Sequence, residues 1–118
     1  MNSIVVDLEV FMKLTEMSCN PIKKDTPPLS RTEAEGLMPQ VAAWSLGEKE
    51  IKREFRFKDF REAMNFVNKV ASAANEQDHH PDLFISYNAV QLTLSTHKIG
   101  GLSLNDFILA AKIDLLTV

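Results

Sequence analysis

The sequence feature that most constrains the fold is a long amphipathic helix, predicted from about Asp59 to about Glu76. Asp59 and Glu62 match the two positions of a capping box at its start. The apolar side chains that follow recur every three or four residues on one stripe: Phe60, Ala63, Met64, Val67, Val70, Ala71 and Ala74. Such a stripe must be buried against other elements, so it predicts a layered domain in which these residues belong to the core.

Two pairs of strands are predicted on either side of this helix. Before it, residues 44–46 and 51–57 flank a Gly-Glu-Lys turn, and the longer segment alternates apolar and charged residues, as a half-buried strand does. After it, Leu83–Tyr87 and Ala89–His97 form an antiparallel pair. Alternate side chains of a strand point to opposite faces, so the last segment has two faces: Val90, Leu92 and Leu94 on one, and Gln91, Thr93, Ser95 and His97 on the other.

Two further helices complete the predicted fold. Ser30 and Glu33 form a capping box at the start of the first helix, which must end or kink near Pro39. Ser103 caps the last helix, which has Asp106 in its first turn and this apolar face: Leu104, Phe107, Ile108, Ala111 and Leu115. The order α-β-β-α-β-β-α predicts an α+β fold, a four-stranded antiparallel sheet with three helices packed on one face.

Length and local composition divide the chain into two parts. We predict that residues 1–18 are an N-terminal extension and residues 19–118 a single domain, since 118 residues suit one domain of ordinary size. The extension is expected to be a short helix packed on the domain or on a neighbouring subunit; alternatively, Met17 is the true start of translation. Residues 19–29 are rich in proline, which predicts an irregular lead-in to the domain.

Charge and composition exclude several classes of protein. The formal net charge is −3 and no stripe of lysine and arginine is present, so direct binding to nucleic acid is not expected. No apolar run approaches the roughly 20 residues of a membrane span, and a single cysteine, Cys19, fits a reducing compartment. The sequence therefore predicts a cytoplasmic protein. It also lacks the glycine-rich nucleotide-binding motifs and the serine-hydrolase motif.

All three histidines of the chain, His79, His80 and His97, fall within 19 residues of sequence. They lie at the predicted ends of elements, as do Asp78 and Asp106, and active sites gather at such ends. Three interpretations stand: ordinary surface histidines, a zinc site, or proton transfer. Adjacent residues such as His79 and His80 seldom aim at one ion. Acid–base chemistry without a metal is therefore favoured.

The spacing of these residues resembles the signature of a known family. The order is His79-His80-Pro81, Tyr87, His97 and Asp106. Further matching segments are Pro27-Pro28-Leu29, Phe57-Lys58-Asp59-Phe60, Ser95-Thr96-His97, Gly100-Gly101-Leu102-Ser103 and Asn105-Asp106-Phe107. Over about residues 19–116 the chain resembles the pterin-4a-carbinolamine dehydratases, also called 4a-hydroxytetrahydrobiopterin dehydratases. The resemblance implies the fold predicted above and association as a homodimer or a homotetramer.

The resemblance also implies a lyase activity: removal of water from 4a-hydroxytetrahydrobiopterin to give the quinonoid dihydropterin, in tetrahydrobiopterin recycling. A pterin would be the substrate, and neither a metal nor an organic cofactor would be needed. His79 and His97 would be the proton-transfer pair, and His80, counted with them as catalytic, would chiefly contact the pterin. The implied substrate-binding residues are Asp78, His80, Pro81 and Asp106, of which Asp106 would orient a histidine.

The chain departs from the family pattern at one position near these histidines. The family usually carries a glutamate four residues before the first histidine of the pair. Here that position is Asn75, and Glu76 follows it. A carboxylate role at this place is therefore absent, or Glu76 supplies it through a small shift. Pro39 is a second departure, which would shorten the first helix without touching the site.

A function from a different class is the alternative. Some members of the family also act as dimerisation partners of a homeodomain transcription factor, through a helical surface and not through the histidines. Such a role needs an exposed apolar helix face for a partner helix. The final helix could provide this face, although self-association would need the same surface. The sequence favours the dehydratase over the coactivator role.

Overall fold

The computed structural model describes residues 13–117 of the chain. Within them, three α-helices and four strands follow one another in the predicted order. The helices are α1 (Arg31–Leu37), α2 (Phe60–Gln77) and α3 (Leu104–Leu115), and the strands are β1 (Ser45–Leu46), β2 (Ile51–Arg56), β3 (Asp82–Ser86) and β4 (Ala89–Leu94). Short 3₁₀ turns cover Leu14–Glu16, Met38–Val41 and His97–Ile99. The predicted α+β fold is confirmed.

The four strands form one antiparallel sheet in the order β1-β2-β4-β3. β2 and β4 pair along their whole length, with Ile51 opposite Leu94 and Phe55 opposite Val90. These four side chains are buried on one face of the sheet, as the alternation predicted. Phe66 of α2 stacks against Phe55 with the ring centroids 4.6 Å apart, so α2 packs on this buried face.

β4 ends at Leu94, earlier than the predicted end at His97. The backbone N–H of Thr96 donates to the carbonyl oxygen of Gly101 at 2.8 Å, which folds the chain back on itself. Gly100 has a φ of 70° in this turn, a left-handed conformation that glycine adopts at little cost. The prediction that His97 ends a strand is therefore wrong, since His97 begins a 3₁₀ turn beyond the polar face of β4.

The starts of the first two helices follow the predicted capping pattern with one difference. Ser30 and Glu33 make both reciprocal bonds of a capping box at α1. At α2, the Asp59 carboxylate accepts the backbone N–H of Glu62 at 2.9 Å. The Glu62 carboxylate, however, accepts the backbone N–H of Lys58 at 3.2 Å instead of that of Asp59. The cap of α2 is therefore half of the predicted box.

The apolar stripe of α2 is rotated from its predicted position. Ala63, Val70 and Ala74 are buried, and so is Phe66, which the prediction left out. Phe60, the first residue of the helix, is half exposed. The residues that face the core are spaced by three or four along the line 63, 66, 70 and 74. Four other predicted members of the stripe lie on its flank and are only partly covered or exposed: Phe60, Met64, Val67 and Ala71.

Helix α3 is an internal helix. Every residue from Asn105 to Ala111 is buried, and the helix contacts α2 and the 3₁₀ turns Leu14–Glu16 and Met38–Val41. Leu115, predicted to lie on the apolar face, is exposed in the last turn. The helix is therefore covered on several sides, and it presents no exposed apolar face of the kind that a partner helix would need.

The two 3₁₀ turns that pack on α3 join the N-terminal region to the core. Met38–Val41 contains the predicted helix-ending proline and follows α1 directly. Leu14 lies within the predicted N-terminal extension, yet its side chain is fully buried, and Lys112 of α3 donates to the carbonyl oxygen of Thr15 at 3.0 Å. The helix expected for that extension is described only from residue 13 onwards, where the chain forms the 3₁₀ turn Leu14–Glu16; the rest of the prediction falls in residues 1–12, outside the described residues. None of the helices in residues 13–117 is long and apolar enough to cross a membrane.

Candidate active site

The histidines lie at the open end of the β3–β4 hairpin. His79 and His80 precede β3, and His97 follows β4. Tyr87, which belongs to the motif, lies at the opposite end in the turn of the hairpin, with a φ of 51° and an exposed ring. Five residues of strand separate the two ends, roughly 16 Å at about 3.3 Å per residue. Tyr87 is therefore not part of the histidine site.

The end of α2 directs the two adjacent histidines apart. Asp78 adopts a left-handed conformation, with a φ of 52°, and the backbone N–H of His79 donates to the carbonyl oxygen of Ala74 at 3.1 Å. This arrangement closes the helix and turns the chain towards β3. Pro81 is buried, and its ring restricts the backbone of His80, the residue before it. As the sequence predicted, His79 and His80 make contacts in different directions.

His79 is paired with Asp106 in the interior. Its Nε2 lies 2.6 Å from Asp106 Oδ1, and the side chain of His79 is 12% exposed whereas that of Asp106 is fully buried. The other carboxylate oxygen, Oδ2, accepts the Thr96 hydroxyl at 2.8 Å and the Ser103 backbone N–H at 2.9 Å. Since Thr96 has one hydroxyl proton to give, the Ser103 hydroxyl donates to Thr96 Oγ1, at 2.7 Å. Asp106 is thus an acceptor held by donors from three parts of the chain.

This network fixes the proton on His79. A carboxylate can only accept, so Nε2 of His79 carries the hydrogen that Asp106 receives. The neutral ring then has its lone pair on Nδ1, and no hydrogen bond to Nδ1 is present among residues 13–117. An imidazolium formed at His79 would be paired with the buried carboxylate. The arrangement can therefore take up and release a proton at one defined nitrogen.

His80 contacts Asn75, which stands where the family usually has a glutamate. Its Nε2 lies 3.0 Å from Asn75 Oδ1 on the exposed surface. An amide oxygen accepts, so Nε2–H of His80 is the donor. Glu76 is exposed and makes no hydrogen bond with the described residues. Asn75 itself therefore occupies the position, and no shift of Glu76 supplies a carboxylate to His80.

His97 is the most open of the three histidines. Its side chain is 78% exposed, and its Nε2 lies 3.9 Å from an oxygen of the equally exposed Asp82. At that distance the two groups are not hydrogen-bonded. The three histidines thus have three different neighbours. Within residues 13–117 no group of three histidine, cysteine, aspartate or glutamate side chains is placed to hold a metal ion.

A cleft of about 210 Å³ opens beside His79. Its walls include Cys19–Ile22 of the lead-in, Gln77–His79 at the end of α2, and Thr96, Lys98 and Asn105. Of the residues predicted for the site, Asp78 and His79 line this cleft, and Asp106 supports His79 from behind. His80, Pro81 and His97 are not among its lining residues. The volume is below the roughly 300–1,000 Å³ of pockets for drug-sized ligands, so the cleft suits one small ring system.

Several lining residues were not identified from the sequence: Cys19, Asn20, Gln77, Lys98 and Asn105. One of them, Asn105, gives a signal that could have been used, because it is a polar residue beside Asp106 within a buried helix. The thiol of Cys19 is partly buried, and this burial raises its pKa to about 11, with a further contribution from the negative charge of Asp106 and an opposing one from Lys112. A thiol of this kind is protonated at neutral pH, so Cys19 is a poor nucleophile.

Comparisons with known proteins bear on this site. A sequence model of the family described as pterin 4 alpha carbinolamine dehydratase matches residues 27–116. A relative from Nitrosomonas eutropha, provisionally named pterin-4-alpha-carbinolamine dehydratase, is 44% identical over 106 residues, which cover 89% of this chain and 94% of that protein. A relative of the same name from Rubrobacter xylanophilus is 45% identical over 105 residues, covering 88% and 98%.

A solved structure agrees with these relatives. The crystal structure of a transcriptional coactivator/pterin dehydratase from Brucella melitensis is similar to this fold with a TM-score of 0.73 and 33% sequence identity. The similarity covers 77% of this chain and 99% of that one. The matched region contains the whole sheet, all three histidines and Asp106. Sequence and fold together assign this chain to the pterin-4a-carbinolamine dehydratase family.

Proposed function

We propose that this chain is a dehydratase that converts 4a-hydroxytetrahydrobiopterin to the quinonoid dihydropterin and water, in tetrahydrobiopterin recycling. The observation that carries the proposal is the pair of His79 and Asp106, which places one oriented imidazole at the wall of a small cleft. Membership of the family supports a reduced pterin as the occupant of that cleft. A reducing cytoplasm is the compartment that we propose, since a chain with one cysteine has no internal disulfide to maintain.

The reaction needs two proton transfers. The bond between C4a and oxygen breaks and its electron pair leaves with the oxygen, which takes a proton from an acid and departs as water. Electrons from the pterin ring nitrogens stabilise the carbon centre, and a base removes a proton from a ring N–H. No other oxidant, reductant or co-reactant is required. The positioned acid and base would each contribute about 10²–10⁴-fold to the rate.

The histidines divide these tasks according to their surroundings. His79 would transfer its proton through Nδ1, while Nε2–H stays bonded to Asp106 and keeps the ring in one orientation. His97 would be the second member of the pair and could approach an oxygen at the mouth of the site, since its ring is exposed and is not hydrogen-bonded to any residue that the structure describes. His80, fixed by Asn75, would contact the pterin edge. Asp78 would bind the pterin at the cleft, and Pro81 would shape the loop.

We further propose that the reaction proceeds without a metal ion. The imidazole Nε2 atoms of His79, His80 and His97 engage or approach three different side chains, which favours separate roles over joint coordination. The substrate supplies its own electron push, so Lewis-acid assistance is not needed. In the turnover assay below, dialysis against EDTA should leave the rate intact. Loss of the rate, with recovery on adding zinc, would contradict this proposal.

A homodimer or homotetramer is proposed from the exposed edge of the sheet. Among the strands of residues 13–117, β3 is an outer one, and its five residues are all exposed. Leu83 and Ile85 lie on the same face as the buried Leu92 and Val90 with which they pair, and Phe84 is exposed on the other face. An apolar, unpaired edge of this kind tends to associate with another strand. Light scattering would test this, since a monomer at micromolar concentration would contradict it.

The experiment that tests the enzymatic proposal is a turnover assay with chemically generated 4a-hydroxytetrahydropterin, followed by ultraviolet absorbance. The wild type should accelerate the spontaneous dehydration. His97→Ala should fold normally, and His79→Ala should fold with a lower melting temperature because the buried Asp106 loses a partner. Each should lose about 10²–10⁴-fold in rate, because each removes one positioned acid or base. Near-normal turnover in either variant would remove that histidine from the mechanism. A folded wild type that gives no acceleration would contradict the dehydratase function itself.

A further inference from the structure

The segment Cys19–Ile22, which we call the strap, forms one side of the cleft. It lies before residues 27–116, the region that the family model matches, but within the longer region over which the relatives align. The strap belongs to no helix or strand, and it makes no backbone–backbone hydrogen bond with the other described residues. Upstream the chain is fixed by the buried Leu14, and downstream the N–H of Leu29 donates to the carbonyl oxygen of Leu102 at 2.8 Å. Side chains from the body of the domain must therefore hold the strap in place.

The strongest of these attachments is Asn105 of α3. Its side-chain oxygen accepts the backbone N–H of Asn20 at 3.1 Å, and its side-chain N–H donates to the carbonyl oxygen of Asn20 at 2.7 Å. The carboxamide thus pairs with both backbone groups of one strap residue, its N–H and its C=O, as a neighbouring strand would. Asn105 is only 6% exposed, and a buried amide is stable only when its polar atoms are bonded. The two bonds to the strap therefore explain how this polar side chain is accommodated inside α3.

Two further side chains bind the ends of the strap. Gln77, the last residue of α2, accepts the backbone N–H of Cys19 at 2.7 Å. Lys98 donates to the carbonyl oxygen of Ile22 at 2.9 Å. The three attachments lie beside the proposed catalytic groups in sequence: Gln77 is two residues before His79, Lys98 follows His97, and Asn105 precedes Asp106. The elements that carry the site therefore also carry Gln77, Lys98 and Asn105, which we call the clamp.

We propose that Gln77, Lys98 and Asn105 are positioning residues that dock the strap as a wall of the substrate cleft. The proposal rests on the function proposed above and adds the strap to its binding site. The exposed carboxamide of Asn20 offers a donor and an acceptor to the polar edge of a reduced pterin, and Pro21 and Ile22 offer apolar contact to its rings. When the strap is docked the cleft is closed on that side, and when it is released one wall is lost.

The expected effect of weakening the clamp is on substrate binding more than on chemistry. Each lost hydrogen bond should raise KM by about two- to tenfold, the usual net value of such a bond. Lys98→Met should therefore raise KM by that factor, and Asn105→Ala, which loses two bonds, by about four- to a hundredfold. The value of kcat should change by less than about threefold, since no proton-transfer group is removed. Lys98→Arg keeps a donor and should restore a KM close to that of the wild type.

Lys24→Met is the matched control, because Lys24 is an exposed lysine of the same lead-in and does not line the cleft. Its KM and kcat should equal those of the wild type. Thermal unfolding should be measured for each variant, and the Lys98 variants decide the question if Asn105→Ala fails to fold. The same KM in wild type, Lys98→Met and folded Asn105→Ala would overturn the proposal. So would an equal loss of kcat and of kcat/KM in both clamp variants.

A second measurement reports the strap without catalysis. Cys19 is the only cysteine of the chain, and its thiol donates to the carbonyl oxygen of Asn105 at 3.5 Å while the strap is docked. Labelling by N-ethylmaleimide should be faster in Asn105→Ala and Lys98→Met, and 7,8-dihydrobiopterin should slow it in the wild type. Unchanged labelling in the variants would overturn the strap proposal while leaving the dehydratase standing. An inactive wild type that dihydrobiopterin does not protect would instead remove the proposed function and, with it, this inference.

Discussion

His79 and His97, the two proposed proton-transfer residues, have opposite surroundings. His79 is nearly buried and bonded to a carboxylate that is itself held by Thr96 and Ser103, whereas the side chain of His97 is 78% exposed and has no partner closer than 3.9 Å among residues 13–117. The difference teaches that the fold determines the position of one imidazole and leaves the other to adjust. A group that must act at a defined ring nitrogen benefits from the first arrangement, and a group that meets a leaving oxygen beside solvent tolerates the second.

The largest expected effect comes from Asp106→Asn, which removes the carboxylate that holds the ring of His79 in one orientation. An asparagine offers one acceptor oxygen where the carboxylate offered two, and its amide N–H can face Nε2 and reverse the tautomer of His79. We expect kcat to fall by about 10²–10⁴-fold, as when the carboxylate behind a catalytic histidine is neutralised. Steady-state kinetics with the reduced pterin substrate would measure this change.

Asp114→Asn is the matched control for that substitution. Asp114 accepts from Trp44 at 2.8 Å and from Arg53 at 2.6 Å, in a partly buried network away from the histidines. Its replacement should lower the melting temperature and leave kcat close to that of the wild type. A kcat near the wild-type value in folded Asp106→Asn would show that catalysis by His79 does not require the carboxylate. The different surroundings of His79 and His97 would then have no consequence for the reaction.

A smaller effect is expected at Cys19, because the pKa of its thiol depends in part on the negative charge of Asp106. Burial first, and the negative charge of Asp106 second, raise the pKa of this thiol from 9.0 to about 11. Because the thiolate is the reactive form, alkylation of the folded chain should rise with pH to a midpoint near 11, whereas the chain unfolded in urea should have a midpoint near 9.0. The rate of iodoacetamide labelling measured across this pH range would test it.

Asp106→Asn should move that midpoint downwards, because one of the two causes that raise the pKa of Cys19 is removed. The shift should be partial, since burial is the larger cause and remains. The sign follows from the charge: a thiolate is disfavoured beside a carboxylate and is no longer disfavoured beside an amide. Identical midpoints in the folded and unfolded wild type would contradict the buried placement of Cys19 against α3.

The sequence predicted most of the fold because the relevant signals are local. Capping at Ser30 and the two-residue alternation of β4 each depend on neighbours within a few positions. The errors occur where contacts from elsewhere decide the outcome. Phe66 lies in the core instead of Phe60 because it stacks on Phe55 of β2 and on Phe57, which follows that strand. β4 ends early because Thr96 pairs across its turn with Gly101.

The sequence named some of the residues at the candidate site, but not the contacts that they make. The motif brought out His79 and Asp106, whereas the 2.6 Å contact between them joins positions 27 residues apart and has no local pattern. The strap was missed for the same reason. Its bond from Cys19 to Gln77 spans 58 residues, and that from Asn20 to Asn105 spans 85. Hydrogen bonds from side chain to backbone over such separations leave no periodicity in a single sequence.

The smallest expected effect is that of Asn75→Ala, which removes the partner of His80. This bond is exposed and neutral, so its loss should raise KM by only about two- to threefold, at the low end for a hydrogen bond. The melting temperature should rise slightly, since alanine favours a helix more than asparagine does. Asn68→Ala, at an exposed site of the same helix, should give the same thermal gain with no change in KM. If Asn75→Ala instead costs as much activity as Asp106→Asn, the reaction needs the ring of His80 to be fixed as firmly as that of His79. The exposure of a histidine side chain would then not predict whether its position must be fixed for catalysis.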